Sequence, residues 1–168
     1  NIETSKKGQY RIKDNFLAFW FRFVYPMRSF IESDHPEIAM AKLKTGFIPN
    51  HVGYVYEDIC RQKMWELNVQ GKLPFLFDRV GRWWGGKDTE LDIVAINTTD
   101  RSKIIFGECK FHQNVPMQLS ELHQLKEKAS VVPWRNANRD EYFALFCSSG
   151  YSEDLQQLAQ EDSHLLLM

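Results

Sequence analysis

The sequence contains little cysteine, no histidine pairs at metal-binding spacing and no excess of charge of one sign. Its three cysteines, Cys60, Cys109 and Cys147, form no C-x-x-C pair, which argues against a disulfide framework and a zinc ribbon. None of the five histidines lies at H-x-x-x-H or H-E-x-x-H spacing, so no histidine-rich zinc site is expected. This cysteine usage fits a reducing compartment, and we expect a cytoplasmic protein.

Long hydrophobic runs are also missing. No run approaches the ~20 apolar residues that a membrane-spanning helix needs, so no membrane partner is expected. The 21 Lys and Arg residues nearly balance the 22 Asp and Glu residues, whereas modules that neutralise nucleic-acid phosphates usually carry a basic excess. The overall charge argues mildly against nucleic acid, although basic residues outnumber acidic ones between positions 61 and 87.

The composition is that of a folded chain with a helical start. Of the 168 residues, 43% are hydrophobic and 14% aromatic, enough to form a core. Residues 1–52 are predicted to form an N-terminal helical segment, rich in aromatic residues and interrupted at Pro26, and residues 53–168 an α/β domain. The aromatic residues can pack as a core or cover a joint. Because the chain starts at Asn1, we expect this segment to join an upstream region.

The second part of the sequence predicts an alternation of helices and strands. A helix with an apolar stripe should begin at Gly53, with Glu57 at the edge of the stripe. Three strand patterns follow and are expected to form an antiparallel meander. Asn114 and Pro116 are typical of an N-cap and a first-turn proline and predict the start of a second helix there. The predicted strands cover residues 75–84, 91–97, 103–111, 142–147 and 164–167, and the predicted helices cover residues 53–69, 152–160 and the segment after 114.

Charged residues interrupt two of these apolar strands. Asp92 lies in the second strand, and Glu108 and Lys110 lie in the third. Side-chain alternation places Glu108 and Lys110 on one face and Asp92 on the face of Val94. If the connection between the strands is centred on Asp100, Asp92 stands opposite Glu108, with Cβ atoms ~4.5–5.5 Å apart. Two like charges at that separation call for a cation between them.

A divalent ion such as Mg²⁺ or Mn²⁺ meets this demand, since Mg²⁺ prefers carboxylate, water and phosphate oxygens. Asp92 and Glu108 are therefore the candidate metal ligands. Lys110 is the candidate group that orients a water or stabilises charge on a phosphate under attack. Glu57 is the candidate supporting acid.

Purely structural readings of the same charges stay open. Asp92 could form a salt bridge with Lys110 and leave Glu108 to meet Arg79 or Arg82. Glu57 could simply pair with Arg61, four residues further along its helix.

These residues carry a resemblance to a known superfamily. Asp92, a hairpin to Glu108 and Lys110, and Glu57 on a preceding helix resemble the Asp…Glu-x-Lys motif of the restriction-endonuclease-like (PD-(D/E)xK) nucleases, whose αβββαβ core the predicted element order also resembles. Further segments resemble the C-terminal domain (domain of unknown function 234) of archaeal-type ATPases. Those segments are Tyr10–Phe16, Phe19–Arg22, Val80–Trp84, Glu90–Val94 and Phe106–Lys110.

The resemblance implies a fold and an activity. The fold would be an α/β restriction-endonuclease-like core with a central mixed sheet flanked by helices, and the activity Mg²⁺- or Mn²⁺-dependent hydrolysis of DNA. The catalytic residues carried over are Glu57, Asp92, Glu108 and Lys110. In that family the domain follows a P-loop ATPase and a winged-helix segment, and no G-x-x-x-x-G-K-[ST] motif occurs here. The alternative is a catalytically inactive module of the ATPase that contacts nucleic acid or protein; a homodimer stays open under both readings.

Overall fold

The computed structural model describes residues 11–85, 89–112, 114–135 and 138–168 of the chain. The fold divides between Val55 and Tyr56 into two compact units. The boundary expected between residues 52 and 53 lies close to this division and stays a prediction. Most of the turn predicted at residues 85–88 lies outside the described residues.

The first unit consists of short helical pieces. The first of them begins after Asp14, whose carboxylate accepts a hydrogen bond from the backbone N–H of Leu17 at 2.8 Å and so caps the helix. Pro26 lies in a three-residue 3-10 turn, so the predicted interruption at this proline is confirmed. The pieces are α1 (Asn15–Phe19), a π-helical turn (Trp20–Val24), the 3-10 turn (Tyr25–Met27), α2 (Arg28–Glu32), α3 (Pro36–Phe47) and a second π-helical turn (Ile48–Val52).

Aromatic rings form the small core of this unit. The buried ring of Phe23 lies edge-on to Phe47 and His51, with centroid distances of 6.2 and 6.4 Å. A Cβ at Gly46 would lie 3.2 Å from Cε1 of Phe23, so a larger residue would push this ring aside. Phe16, in contrast, is 67% exposed. Core packing therefore accounts for only part of the aromatic content of the segment.

The second unit is built on a five-stranded mixed sheet in the order β1-β2-β3-β4-β5. The first three strands pair antiparallel with one another, as the predicted meander requires. The fourth strand pairs in parallel with the third, and the fifth pairs in parallel with the fourth. The α/β class and the predicted order of elements are confirmed, whereas the restriction-endonuclease-like core stays a prediction. The elements are α4 (Gly53–Val69), β1 (Arg79–Gly85), β2 (Thr89–Ile96), β3 (Lys103–Lys110), α5 (Leu119–Ser130), β4 (Asp140–Cys147), α6 (Glu153–Glu161) and β5 (Leu165–Leu167).

Helices cover both faces of the sheet. On one face Phe106 of β3 packs in a buried cluster with Leu125 of α5 and Leu155 of α6. On the other face Ile105 packs in a second cluster with Met64 of α4. Because neighbouring residues of β3 point to opposite faces, α4 lies on one side of the sheet and α5 and α6 lie on the other. Full burial of each such side chain contributes about 1.5–3 kcal/mol.

Helix α5 begins later than predicted. Asn114 and Pro116 precede the helix, because Met117 is engaged in a parallel β-bridge with Tyr151. The cap is Gln118, whose backbone N–H donates to the side chain of Glu121 at 3.0 Å in a capping box.

Strand β1 also begins later than predicted. The side-chain amide of Asn68, buried at the end of α4, accepts from the N–H of Phe77 and donates to the carbonyl of Phe77, both at 3.0 Å. These two bonds satisfy the polar backbone groups of Phe77 without a partner strand. Ladder pairing therefore starts only at Arg79.

Candidate functional site

The register of β2 and β3 is the one expected from the sequence. Ile93 pairs with Gly107 and Val94 pairs with Phe106, so the same register continued by one residue sets Asp92 opposite Glu108. The carboxylate of Asp92 accepts a hydrogen bond from the backbone N–H of Cys109 at 2.9 Å. The two predicted carboxylates thus lie on neighbouring strands at the same level of the sheet.

Gly107 allows the strands to approach closely beside this pair. A Cβ at this position would lie 2.9 Å from Cβ of Ile93 on β2 and 3.2 Å from the carbonyl oxygen of Ala144 on β4. A side chain here would force backbone to move on at least one side. Gly107 therefore helps fix the strand on which Glu108 and Lys110 lie.

A β-bulge lies in β2 at Asp92. Gly81 pairs with Val94 but Trp83 pairs with Leu91, so Asp92 and Ile93 together oppose the single residue Arg82. Leu91 and Val94 consequently belong to the same core cluster, although residues three apart in a regular strand face opposite sides. The bulge interrupts the strict alternation on which the assignment of Asp92 to the face of Val94 depends, so that assignment stays a prediction.

Glu108 is a buried carboxylate held by two lysines. It is 5% exposed. Oε1 lies 2.8 Å from Nζ of Lys110, and Oε2 lies 2.9 Å from Nζ of Lys128 on α5. Burial acts to lower the pKa of Lys110, but the hydrogen bond and charge of Glu108 outweigh burial, and the pKa is raised. Lys110 therefore stays protonated at neutral pH.

Asp92 titrates above its ordinary range. Burial raises the pKa of Asp92, and the charge of Glu108 raises it further, while the hydrogen bond from Cys109 acts in the opposite direction. The two predicted metal ligands are thus close enough to repel each other.

Glu57 belongs to a neighbouring ion-pair cluster. Its Oε2 lies 2.8 Å from a terminal nitrogen of Arg82 on β1 and 3.7 Å from one of Arg61 on α4. Burial raises the pKa of Glu57 to about 7, and the charge of Asp92 adds to this, whereas both arginines lower it. Arg82 also pairs with Glu90 at 3.3 Å. The structural pairing expected between Glu57 and Arg61 is present, but the Arg82 contact is the shorter one.

The four predicted site residues fall into two linked groups. Glu108 and Lys110 are in direct contact, Asp92 lies beside them, and Glu57 is connected to Asp92 through charge. Within the parts of the chain that the structure describes, no three Asp, Glu, His or Cys side chains come together to hold a metal ion. The assignment of Asp92 and Glu108 as metal ligands stays a prediction.

The sequence did not predict the roles of two site residues, Lys128 and Arg82. The alternative that joined Asp92 to Lys110 and Glu108 to Arg79 or Arg82 is wrong, because both ion pairs of Glu108 are made by lysines. In the sequence, Lys128 precedes Ala129, which is predicted to lie on the inner face of the helix. A long charged side chain at the edge of that face was the feature that could have indicated a role in the site. The role of Arg82 depends on the bulge, which the sequence does not reveal.

Residues 20–129 match the family model of domain of unknown function 234, described as archaeal and bacterial proteins of unknown function. The chain belongs to this family. The matched range includes Glu57, Asp92, Glu108, Lys110 and Lys128. The predicted resemblance to this family is thus confirmed.

One relative is considerably longer than the chain. The chain is 41% identical over 129 residues to Uncharacterized protein MJECL04 of Methanocaldococcus jannaschii, a match that covers 76% of the chain and 28% of that protein. The chain thus spans just over a quarter of the length of this relative. No solved structure matches the chain significantly.

Among the described helices, none combines the length and the apolar character that crossing a membrane requires.

Proposed function

We propose that this member of the family is a divalent-metal-dependent phosphodiesterase that hydrolyses DNA. The observation that carries the proposal is the register of β2 and β3, which sets Asp92 opposite Glu108 with the ammonium group of Lys110 at 2.8 Å from Glu108. Burying carboxylates costs free energy unless they are compensated. A carboxylate whose pKa is perturbed by burial and by a charged neighbour, as that of Asp92 is, is typical of functional sites.

The donor set fits a hard divalent ion. Mg²⁺ is usually bound by one or two carboxylates together with water and substrate phosphate, and Asp92 and Glu108 supply two carboxylates. These two residues would hold the Mg²⁺ or Mn²⁺ ion, which when bound supplies Lewis-acid stabilisation of a phosphoryl oxygen.

Lys110 supports the proposal as a fixed positive charge. Its side chain is partly exposed while its ammonium group donates to buried Glu108, so the lysine can meet a substrate from solvent. Because its pKa is raised, it would act as a hydrogen-bond donor that stabilises charge on a phosphate rather than as a general base.

Glu57 would act as the supporting acid. With a pKa of about 7, it can take up or release a proton near neutral pH, and its charge state alters the field at Asp92. Glu57 also contacts Arg82, the residue of β1 that lies opposite the bulge. A change in the charge of Glu57 would therefore also affect this ion pair.

The proposal extends to partners and context. DNA is the proposed substrate, and an upstream P-loop ATPase with a winged-helix segment is the proposed neighbour in a longer polypeptide, which agrees with the greater length of the relative. A homodimer and a cytoplasmic location also remain proposals.

A second function has its own support. Both oxygens of Glu108 are already matched by lysine charges, so the site is neutralised without any ion. The chain as a whole has a net charge of -1. Both facts favour a catalytically inactive module that binds nucleic acid or protein for an ATPase.

Cleavage assays decide between the two functions. Purified chain would be incubated with supercoiled plasmid, linear, branched and single-stranded DNA in Mg²⁺, Mn²⁺ or chelator. We expect metal-dependent cleavage that Asp92→Ala and Lys110→Ala each reduce by about 100-fold or more, because a lost transition-state donor costs on that order. Asp154→Ala and Lys126→Met, which remove matched charges at exposed helical positions, should cleave like wild type.

Two outcomes would count against the nuclease. Plasmid nicking retained by an Asp92→Ala, Lys110→Ala double variant would show that the activity does not come from this site. No cleavage by wild type in Mn²⁺, together with salt-sensitive association with DNA or protein, would favour the inactive module.

A further inference from the structure

Lys128 reaches the site from a helix rather than from the sheet. It lies in the last turn of α5, and its Nζ is 2.9 Å from Oε2 of Glu108. The side chain of Lys128 is 34% exposed, whereas that of Glu108 is 7% exposed. The ammonium group therefore extends from a partly solvated position to a buried carboxylate.

Lys128 and a metal ion would compete for the same negative charge. Glu108 carries one charge, and Lys110 already neutralises it from the other oxygen at 2.8 Å. An ion bound to Glu108 would bring a third cation to the same carboxylate. Like charges a few ångströms apart in a partly buried site repel strongly. One of the ammonium groups must then withdraw.

Lys128 is the lysine that can withdraw. Lys110 follows Glu108 by two residues on β3 and shares its face of the strand, so the sheet holds the two together. Lys128 lies 20 residues away in sequence on a separate helix, at the end of a flexible four-carbon stem. Its partly exposed head group has water available when it leaves the carboxylate.

We propose that Lys128 is a built-in counter-ion that neutralises Glu108 in the metal-free site and has to release Glu108 when a divalent ion binds. The inference rests on the proposed function, because it takes Glu108 as a metal ligand. Lys128 thereby lowers the metal affinity of the site. A fixed structural role would instead require Lys128 to stay in place and to support Glu108 in both states.

Binding of Mn²⁺ alone, measured by isothermal titration calorimetry on the whole chain without DNA, tests this inference. We expect Lys128→Met to bind Mn²⁺ about tenfold more tightly than wild type, the scale of a typical coupling between two binding events. Lys128→Gln, which stays neutral but can still donate to Glu108, should also bind more tightly. Lys128→Arg keeps the charge and should bind like wild type.

The matched control is Lys126→Met. Lys126 is an exposed lysine of the same helix whose ammonium lies over the ring of Phe143, at 5.2 Å from the centroid. This variant changes the net charge by the same amount, so unchanged affinity would show that the effect is local to Glu108. Circular dichroism of each variant checks that the fold is intact.

The outcomes separate the inference from the proposed function. If wild type binds Mn²⁺ and the neutral Lys128 variants bind equally or more weakly, the counter-ion role is overturned while the metal site stands. If Lys128→Arg binds as tightly as the neutral variants, the role is overturned too, because charge would not matter. If neither wild type nor any Lys128 variant binds Mn²⁺, the metal site and the inference both fail.

Discussion

Three carboxylates of the second unit are compensated in three different ways. Glu108 is held by lysine ammonium groups, Asp92 by a backbone N–H and Glu57 by arginines. For Asp92 and Glu57, burial outweighs this compensation and raises the pKa. Such groups reduce the stability of the folded state at neutral pH. Retaining them there is easier to explain by function than by stability.

Glu57 makes the folding stability depend on pH. Its pKa is about 7 in the folded chain and ordinarily 4.5, so between these values the folded state binds the proton more tightly than the unfolded state. The contribution of Glu57 to the free energy of unfolding is therefore present below pH 4.5 and lost as the pH rises towards 7. In the Glu57→Gln variant, we expect the decline in the free energy of unfolding between pH 4.5 and 7 to be smaller by up to about 3 kcal/mol. Urea unfolding at several pH values would measure it.

Glu66→Gln is the control for this experiment. Glu66 is an exposed acid of the same helix, and its hydrogen bond with Lys63 lowers its pKa, so its titration has the opposite sign. The decline between pH 4.5 and 7 should persist in this variant. An equally steep decline in Glu57→Gln would contradict the raised pKa of Glu57.

Among the elements, helix α5 is tied to the sheet by a buried arginine. Arg139 precedes β4 and has a side chain that is 1% exposed. Its guanidinium donates to the carbonyl oxygen of Ala129 at the end of α5, to those of Val132 and Trp134 in the following loop, and to Glu141. These bonds add a charged donor at the helix end, where the carbonyl of Ala129 also accepts from the N–H of Val132 at 3.1 Å and the carbonyl of Val132 accepts from the N–H of Trp134 at 2.9 Å. They also hold the helix that carries Lys128.

Replacing Arg139 should destabilise the protein strongly. Arg139→Met leaves three carbonyl groups and Glu141 without this donor, and breaking a buried charged network costs about 3–5 kcal/mol. Urea unfolding would measure the loss. Arg101→Met is the matched control, since Arg101 is exposed and donates to the carbonyl oxygen of Thr98; its effect should stay within about 0.5 kcal/mol. A small effect at Arg139 would show that the end of α5 does not depend on this side chain.

Local sequence patterns predicted most elements and the strand register. The hairpin centre at Asp100 was enough to place Asp92 opposite Glu108, because an antiparallel register follows from the loop. The bulge at Asp92 was not predictable, since it depends on how β1 pairs with β2. The start of α5 was missed for a similar reason: Met117 pairs with Tyr151, far along the chain.

At the scale of the whole molecule, contacts between distant elements decided the rest of the site. The sequence predicted the two carboxylates and Lys110, which lie in one hairpin. It did not predict Lys128 or the role of Arg82, because these side chains reach the site from α5 and β1. Lysines contact both oxygens of Glu108, so the proposed metal ion would have to displace one of them.

At least one relative is much longer than the region that it shares with this chain. The match covers 28% of MJECL04, so most of that relative lies outside the matched region. Under the proposed nuclease function, the near-neutral charge of the chain would suit a domain that receives DNA from a neighbouring region rather than capturing it by a basic surface of its own.

A crystal structure of the chain grown with Mn²⁺, with the ion located by its anomalous scattering, tests the central claim most directly. We predict an anomalous peak in contact with carboxylate oxygens of both Asp92 and Glu108, with Lys110 still beside Glu108 and Lys128 moved away. A site without such a peak, in which Glu108 still binds both lysines at saturating Mn²⁺, would contradict the account.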